Sequence, residues 1–588
     1  MKTLILCEKD AAAEKFAQFL NAHQRDGYWE TPDYFIVAAR GHLIQTTVRG
    51  MKGWNIPSFD FKWYIPKSSQ EKLSLIKQLY EDCDDVVIAT DWDREGEVIG
   101  ERIYAYLQGK LNGQYFLPNR IYFSALTHSE VLKALNNVQQ MNEVLLTQGL
   151  ARNYADTVIG LNLTKALTKI YKVDLNYSEL VQALSLGRVQ SPVLTRIVGV
   201  TRVNFKSEKP SRSEWNEQKV NCYIETPEGH IPIKDTDDDE VELVRYDEEE
   251  EKRQQARSLP NTDDAFSEVE LPPHVTMDIM ESLYLRGLMT YPRTKSTAAP
   301  EDVLEELEDE LGTHGLLQSP NFSKDNVPDG IQDAGKLPLL PTVEGITAYV
   351  NGELSRRDLI VFTWLLDRLN RAFAPPLKIK HKKAVFRDSR REFVVDFGSV
   401  VENEEDCVEW FDTTIYPEIP LGRYKVVKIV ITKTTVLIDS GTYRDIRMLS
   451  DKDVVEWMSW AGIGTEATRQ TYTSILRSRK YIDEVNLPTK LGEFVSEIIE
   501  RIGLTTDLTA EMESRIETLR SLSDLQEFQD WINDLTEQFV DRLFDMDSSE
   551  LDVFVCPAGH KAELVNRYWN GRQVLLLRCN TCEKLYPL

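Results

Sequence analysis

No run of about twenty apolar residues occurs in the 588-residue chain, which excludes a conventional membrane-spanning helix. The opening residues read as a strand and not as a cleavable leader, so a soluble, cytoplasmic protein is expected. Cysteine is scarce: seven, widely scattered, are too few for a disulfide framework. Cys7 and Cys222 sit among apolar neighbours and read as inert core thiols. No GxxxxGK[ST] phosphate loop is present, so ATP-driven chemistry is not expected. Basic residues are in deficit, 69 Lys and Arg against 95 Asp and Glu, a formal net charge of -26. Such a surface repels nucleic acid, so any positive potential must be confined to a groove or cavity. Much of the acid lies in Asp235 to Glu251, DTDDDEVELVRYDEEEE, expected as a solvated loop or hairpin tip. The length allows several domains with large cores.

What is present centres on Val86 to Gly100, VVIATDWDREGEVIG. Val86 to Ala89 form a short apolar run suited to a strand buried on both faces of a parallel sheet. Asp91, Asp93 and Glu95 follow at its end, and residues two apart on an extended backbone project to the same side. Such carboxylates repel one another unless a cation sits among them, and their hard oxygens suit Mg²⁺. Gly96 then lets the chain turn into a helix spaced by Ile99, Ile103, Tyr106 and Leu107. The start of the chain has the same grammar: Leu4 to Cys7 read as a buried strand ending in Glu8 and Lys9. A helix follows with Ala12, Phe16, Phe19 and Leu20 on one face, capped by Asp10. Strand ends carrying Glu8-Lys9 and Asp91-x-Asp93-x-Glu95 resemble the Toprim domain shared by topoisomerases, bacterial primases and some nucleases. That resemblance implies phosphodiester chemistry without choosing the reaction.

Further strands are expected at Tyr34 to Ala38 and Arg120 to Leu126. A helix over Leu150 to Ala166 places Tyr154, Val158 and Leu161 on its buried face and leaves Arg152 and Lys165 polar. Strand-like runs and polar loops alternate from about Asn204 to Ser267 and again from Ala384 to about Asp439, indicating β structure. Helical spacing at Ile279, Met280, Leu283 and Tyr284 closes at Gly287. Another helix over Arg357 to Ala372 has Val361, Trp364, Leu365 and Leu369 on one face. Two strings then carry the chemistry: Leu184 to Val193, LSLGRVQSPV, and Gly287 to Thr297, GLMTYPRTKST. With the Toprim acids, they closely resemble the type IA DNA topoisomerases, nearer the topoisomerase III branch because proline follows Tyr291. GIGTEATR at Gly462 to Arg469, LPTKLG at Leu487 to Gly492 and LTAEME at Leu508 to Glu513 extend the resemblance to about residue 550.

The resemblance implies a multidomain torus combining α/β, α and β parts. Its expected divisions are a Toprim domain at 1-145, a helical base at 146-203 and 451-550, a β arch at 204-268 and 346-450, a tyrosine domain at 269-345, and a zinc-ribbon-like module at 551-588. The implied reaction is ATP-independent passage of one DNA strand through a transient break, with a 5′-phosphotyrosyl link to Tyr291. Glu8 would be the general acid, and base on resealing; Arg293 and Lys9 would stabilise phosphoryl charge. Asp91 and Asp93 would hold Mg²⁺, with Glu95 as a direct or outer partner and Glu8 alongside, while Glu97 reads as structural. In the single-strand groove, Arg152 and Arg188 would meet phosphate, and Gln190 and Ser191 would donate to phosphate or sugar oxygens. One departure stands out: Gly335 to Thr342, GKLPLLPT, puts Lys336 where the family usually has histidine. The implied partner is DNA, chiefly single-stranded regions of negatively supercoiled DNA, acted on by a monomer. A Toprim nuclease or primase without a covalent intermediate, and a nonenzymatic single-strand scaffold, are the competing readings.

The tail carries Cys556-Pro-Ala-Gly-His560 and Cys579-Asn-Thr-Cys582, two knuckles suited to one tetrahedral Zn²⁺. The metal would replace the core that so small a module lacks. Tyr568 and Trp569, beside Arg567 and Arg572, are candidates to stack on and clamp single-stranded DNA.

Overall fold

The structure, a computed structural model, describes residues 2–51, 55–170, 183–205, 215–226, 229–234, 236–254, 257–333, 335–400, 419–435, 449–466, 468–546, 560, 563–569 and 572–587. In chain order the first nine strands are β1 (Thr3–Cys7), β2 (His23–Gln24), β3 (Trp29–Glu30), β4 (Tyr34–Ala38), β5 (Gln45–Arg49), β6 (Asp60–Tyr64), β7 (Asp85–Ala89), β8 (Asn119–Arg120) and β9 (Gln139–Gln140). All but the β5–β6 hairpin join one sheet, in the order β2-β3-β4-β1-β7-β8-β9. At its centre β1 runs parallel to both β4 and β7, with Leu4 opposite Phe35 and Val86, and Cys7 opposite Ala38 and Ala89.

Alternation along these central strands sends their side chains into two different cores. Leu4, Leu6, Val86 and Ile88 pack with Tyr154, Val158 and Leu163 of the long helix Glu143–Ile170. Ile5, Cys7, Val87 and Ala89 pack on the other face with Met280, Leu283 and Tyr291. Period-two patterning therefore clamps the sheet between the helical base and the segment carrying the tyrosine. The carboxyl ends of β1 and β7 lie where those two bodies meet.

Several local expectations change. Of Arg120 to Leu126, only Arg120 lies in a strand; Ile121 adds one bond to the Ile88 carbonyl at 2.9 Å, the chain then bends at Ser124 and Ala125, and Ser124 gives its carbonyl to the Tyr291 N–H at 2.7 Å. Lys9, and not Asp10, occupies the cap position of the helix Asp10–Phe19, without a side-chain cap. The Asp10 carboxylate pairs with Arg40 at 2.7 Å. On the long helix Leu161 is 38% exposed, because the buried face one turn after Val158 and Ile159 passes through Asn162 and Leu163. The Asn162 amide is fully buried and bridges the N–H and C=O of Ser58, at 2.8 and 2.9 Å.

The second large sheet draws on two distant stretches of chain. Strands β10 (Trp215–Thr226), β11 (Gly229–Ile233) and β12 (Glu240–Gln254) come from the first, and β13 (Leu377–Arg387), β14 (Glu392–Val400) and β15 (Gly422–Thr435) from the second. The order is β11-β10-β15-β12-β13-β14. The acidic run is thus mostly strand and not loop; Asp235 itself lies outside the described residues. Its register explains why: β12 pairs along its length with β13, and Asp247 stands opposite Lys383. Cross-strand opposite charge favours pairing over a solvated loop.

Strands β16 (Glu563–Trp569), β17 (Arg572–Cys579) and β18 (Lys584–Pro587) form a three-stranded sheet in the tail. The side chains of Arg567, Tyr568, Trp569 and Arg572, and all of Cys556, lie outside the described features. Among the described residues no helix is long and apolar enough to cross a membrane.

Candidate active site

The acidic turn is built by the strand, a cap and one close approach. Asp93 caps the helix Arg94–Leu107, its Oδ1 accepting the Gly96 N–H at 2.8 Å. Gly96 sits within the first helical turn, where an added Cβ would come to 2.1 Å from the Asp91 carbonyl oxygen. Its role is close backbone approach and not a turn conformation. Arg120, fully buried, donates to Thr90 Oγ1 (2.7 Å), the Thr90 carbonyl (2.9 Å) and the Asp91 carbonyl (2.7 Å). Glu97 balances it at 3.2 Å and accepts from the Tyr122 hydroxyl at 3.0 Å, a structural role.

Onto this turn the chain brings groups from nearly 200 residues away. The Tyr291 hydroxyl donates to Asp93 Oδ2 at 2.6 Å, and the ring packs edge-on against Tyr284, centroids 5.2 Å apart. Lys9 Nζ lies 3.0 Å from Asp91 Oδ2, and Arg293 Nη1 lies 3.8 Å from Asp93 Oδ2. Glu281, on the helix Pro273–Leu285, ties the two cations together through a short pair with Arg293 and a 3.9 Å contact to Lys9. Lys336 donates to the Arg293 carbonyl at 3.2 Å and pairs with Asp333 at 3.3 Å.

The charges separate the acids. Burial pushes the Glu8 carboxyl well above the usual range, and Asp91 and Asp93 push it further. Burial also raises Asp91, against the pull of Lys9. Asp93 is buried too, but Arg293, Lys336 and the Tyr291 hydroxyl outweigh that and bring it down to about 2. Tyr291 is 3% exposed, and burial, then Asp93, raises its phenol well above its ordinary value. Neighbouring groups pushed in opposite directions are the arrangement that divides acid from base.

Asp93, Glu95, Arg152, Arg293 and Lys336 line a common cleft of about 420 Å³. Arg152 is held there by long contacts, 3.5 Å to Glu95, 3.6 Å to Asp156, 3.3 Å to Thr465 Oγ1 and 3.4 Å to Thr468 Oγ1. Arg188, Gln190 and Ser191 are placed differently from the groove-facing expectation. Arg188 is 1% exposed and bonds Asp156 and Glu513, each at 2.8 Å. Gln190 donates to the Ser185 carbonyl at 2.9 Å, and Ser191 accepts the Gly187 N–H at 3.2 Å. Gln190 and Ser191 thus bond within their own segment, and Arg188 ties it to the helices carrying Asp156 and Glu513.

The donor set suits Mg²⁺. Asp91 is 1% exposed; Lys9 reaches only its Oδ2, and its buried Oδ1 has no hydrogen-bond partner, an unmet acceptor that a hard cation would satisfy. Glu8 and Asp93 flank it, and Mg²⁺ ordinarily takes one or two carboxylates and keeps waters. Glu95 turns toward Arg152, which fits an outer position. In the tail, His560, Cys579 and Cys582 bring one donor atom each within 4.8 Å of one another, and His560 Nδ1 lies 3.1 Å from Cys582 Sγ. Imidazole and thiolates so placed suit a tetrahedral metal site.

Glu281, Arg120 and Glu513 escaped the sequence reading. A charge opening a buried run was the available signal for Arg120; Glu281 had none, since its helix reads as an ordinary apolar stripe. Comparison with known proteins agrees with the geometry. A family profile described as DNA topoisomerase matches residues 140–522, and one described as Toprim domain matches residues 3–126. DNA topoisomerase 1 of Methanocaldococcus jannaschii is 24% identical over 575 positions, covering 88% of this chain and 72% of that protein. DNA topoisomerase 3 of Staphylococcus aureus is 24% identical over 653 positions, covering 99% and 88%. Full-length topoisomerase I from Thermotoga maritima shares the fold with a TM-score of 0.66 at 19% identity, covering 100% of this chain and 97% of that one.

Proposed function

The chain belongs to the type IA DNA topoisomerase family, and from that membership we propose that it breaks and reseals one DNA strand through Tyr291. The observation that carries the reading is the 2.6 Å hydrogen bond from Tyr291 to Asp93, which joins the tyrosine segment to the acidic turn. In cleavage the Tyr291 oxygen bonds to phosphorus as the bond from phosphorus to the 3′ oxygen breaks. Glu8, kept protonated by burial and by its acidic neighbours, gives its proton to that leaving oxygen and takes it back on resealing. Asp93 orients the phenol but, held near 2, is too weak a base to keep its proton, which passes to solvent. Lys9 and Arg293 face the phosphoryl oxygens, and Glu281 holds both in place. Lys336 takes the family's histidine position as a fixed charge beside Asp93. Mg²⁺, held by Asp91 and Asp93 with Glu8 and Glu95 nearby, would neutralise backbone phosphate and fix the strand. The described geometry is a closed resting arrangement, because the nucleophile is buried and bonded to Asp93; the tyrosine segment must part from the turn to admit DNA.

The domain divisions given above, the single-strand preference and action as a monomer belong to the same proposal, as does Zn²⁺ at His560, Cys579 and Cys582, with Cys556 as fourth ligand. The test mixes wild type and Tyr291→Phe with a labelled single-stranded oligonucleotide and Mg²⁺, then quenches with denaturant. Protein-linked DNA on the 5′-phosphate side, absent from the variant, is expected. Free cleaved fragments without an adduct would favour a Toprim nuclease instead.

A further inference from the structure

Lys295, four residues beyond Tyr291, is rigidly mounted. The preceding Thr294 is 1% exposed and its N–H donates to Thr262 Oγ1 at 2.9 Å; the following Ser296 is fully buried and donates to the Lys336 carbonyl at 2.7 Å. Between these anchors the Lys295 side chain alone projects, into the cleft it shares with Asp93, Arg293 and Lys336. There it crosses from the tyrosine segment to the base, 3.3 Å from Glu517 and 3.7 Å from Glu466.

Both partners are poorly placed. Glu517 lies in the last turn of the helix Thr506–Thr518, where the helix dipole disfavours an anion. Glu466 Oε1 is buried, makes no hydrogen bond, and reaches Lys295 and Arg469 only through contacts of 3.7 and 3.5 Å. Lys295 and Glu517 are each about half exposed, so water screens their pair. A phosphate oxygen would give the ammonium a shorter, charge-assisted hydrogen bond.

We propose that Lys295 is a phosphate-contacting residue of the substrate strand, held across the seam by Glu517 and Glu466 until a phosphodiester displaces them. The assignment rests on the DNA-cleaving reading of Tyr291. Strand entry then does two things at once: it occupies a cation in the cleft and releases an ion pair that ties the tyrosine segment to the base.

The test titrates a fluorescent single-stranded oligonucleotide into full-length protein, in magnesium-free buffer, over a series of salt concentrations. Lys295→Gln should weaken binding and reduce the slope of log affinity against log salt by about 0.7, one phosphate contact on a single strand. Glu517→Gln should tighten low-salt binding about two- to fivefold, the worth of an exposed pair, and lose most of that gain in the Lys295→Gln background, the remainder belonging to Arg94, 3.8 Å from the same carboxylate. An unchanged slope in Lys295→Gln, or an equal gain from Glu517→Gln in both backgrounds, overturns the proposal. If that happens while wild type still forms the Tyr291 adduct, this assignment alone falls. If wild type neither binds the oligonucleotide nor forms the adduct, the functional reading falls with it.

Discussion

Replacing Gly96 by alanine should disable the acidic turn while leaving the rest of the chain folded. The new Cβ would stand 2.1 Å from the Asp91 carbonyl oxygen, and relief to van der Waals distance requires about 1 Å of movement. Backbone, not a flexible side chain, must move. The Asp91 carbonyl is fixed by Arg120 at 2.7 Å and the Asp93 N–H at 2.9 Å, and Gly96 itself by the Asp93 cap at 2.8 Å. Losing two such hydrogen bonds costs about 2 kcal/mol, and overpacking adds about 1–3 kcal/mol. A misplacement of about 1 Å among reacting groups lowers rate about 100-fold. The assay is the rate of covalent adduct formation on a single-stranded oligonucleotide at saturating Mg²⁺. Gly109→Ala serves as control: its φ of +67° is strained, but nothing lies within 4 Å of the added carbon and it is remote from the cleft. A Gly96→Ala protein forming adduct at the wild-type rate would refute this account of the turn.

Lys336→His should retain cleavage, because imidazole can still reach Asp333 or the Arg293 carbonyl. Its rate should fall from pH 6 to pH 8 relative to wild type as the charge near Asp93 is lost; complete loss of adduct at both pH values would count against this position. Arg188 holds the Glu513 carboxyl below its ordinary value, against burial. A depressed acid stabilises the fold above its unfolded pKa and loses that contribution as pH falls through its folded value. Glu513→Gln should therefore lower the unfolding midpoint most at pH 7 and progressively less under acid; an equal deficit at every pH would show that charge is not the cause. Metal analysis of undisturbed protein should find one zinc per chain. Its removal by a zinc-selective chelator should expose the tail to protease while a Mg²⁺-replenished sample still forms adduct, and protein isolated without zinc would remove the assignment.

Strand identity was readable where burial acts on every residue, as at Leu4 to Cys7 and Val86 to Ala89, since a two-sided core leaves no polar position to confuse the pattern. The placement of Glu8, Lys9, Asp91 and Asp93 at strand ends followed from the same feature. Tertiary partners were not readable. Ile121 to Leu126 has strand composition, yet after one further bond to Ile88 its backbone leaves the ladder and docks the tyrosine turn through Ser124. Strand β12 has loop composition, yet a strand more than a hundred residues later supplies its ladder and sets Lys383 opposite Asp247. Arg188 and Gln190 have the chemistry of ligands but are engaged within the protein: two carboxylates from distant helices take up Arg188, and Gln190 turns back on the Ser185 carbonyl of its own segment. Local pattern reports which groups are available; only the fold decides which remain so.

Strand β15 has a consequence for how the protein is made. It sits between β10 and β12, pairing antiparallel with both, although it follows β12 by about 170 residues. On the ribosome, at roughly 5–20 residues per second, β10 and β12 wait on the order of ten to forty seconds for the strand that joins them. Throughout that interval each presents an open edge to other nascent chains. Synthesis rate and chaperone capture at this stage should therefore govern the yield of native protein more strongly than substitutions in the finished sheet.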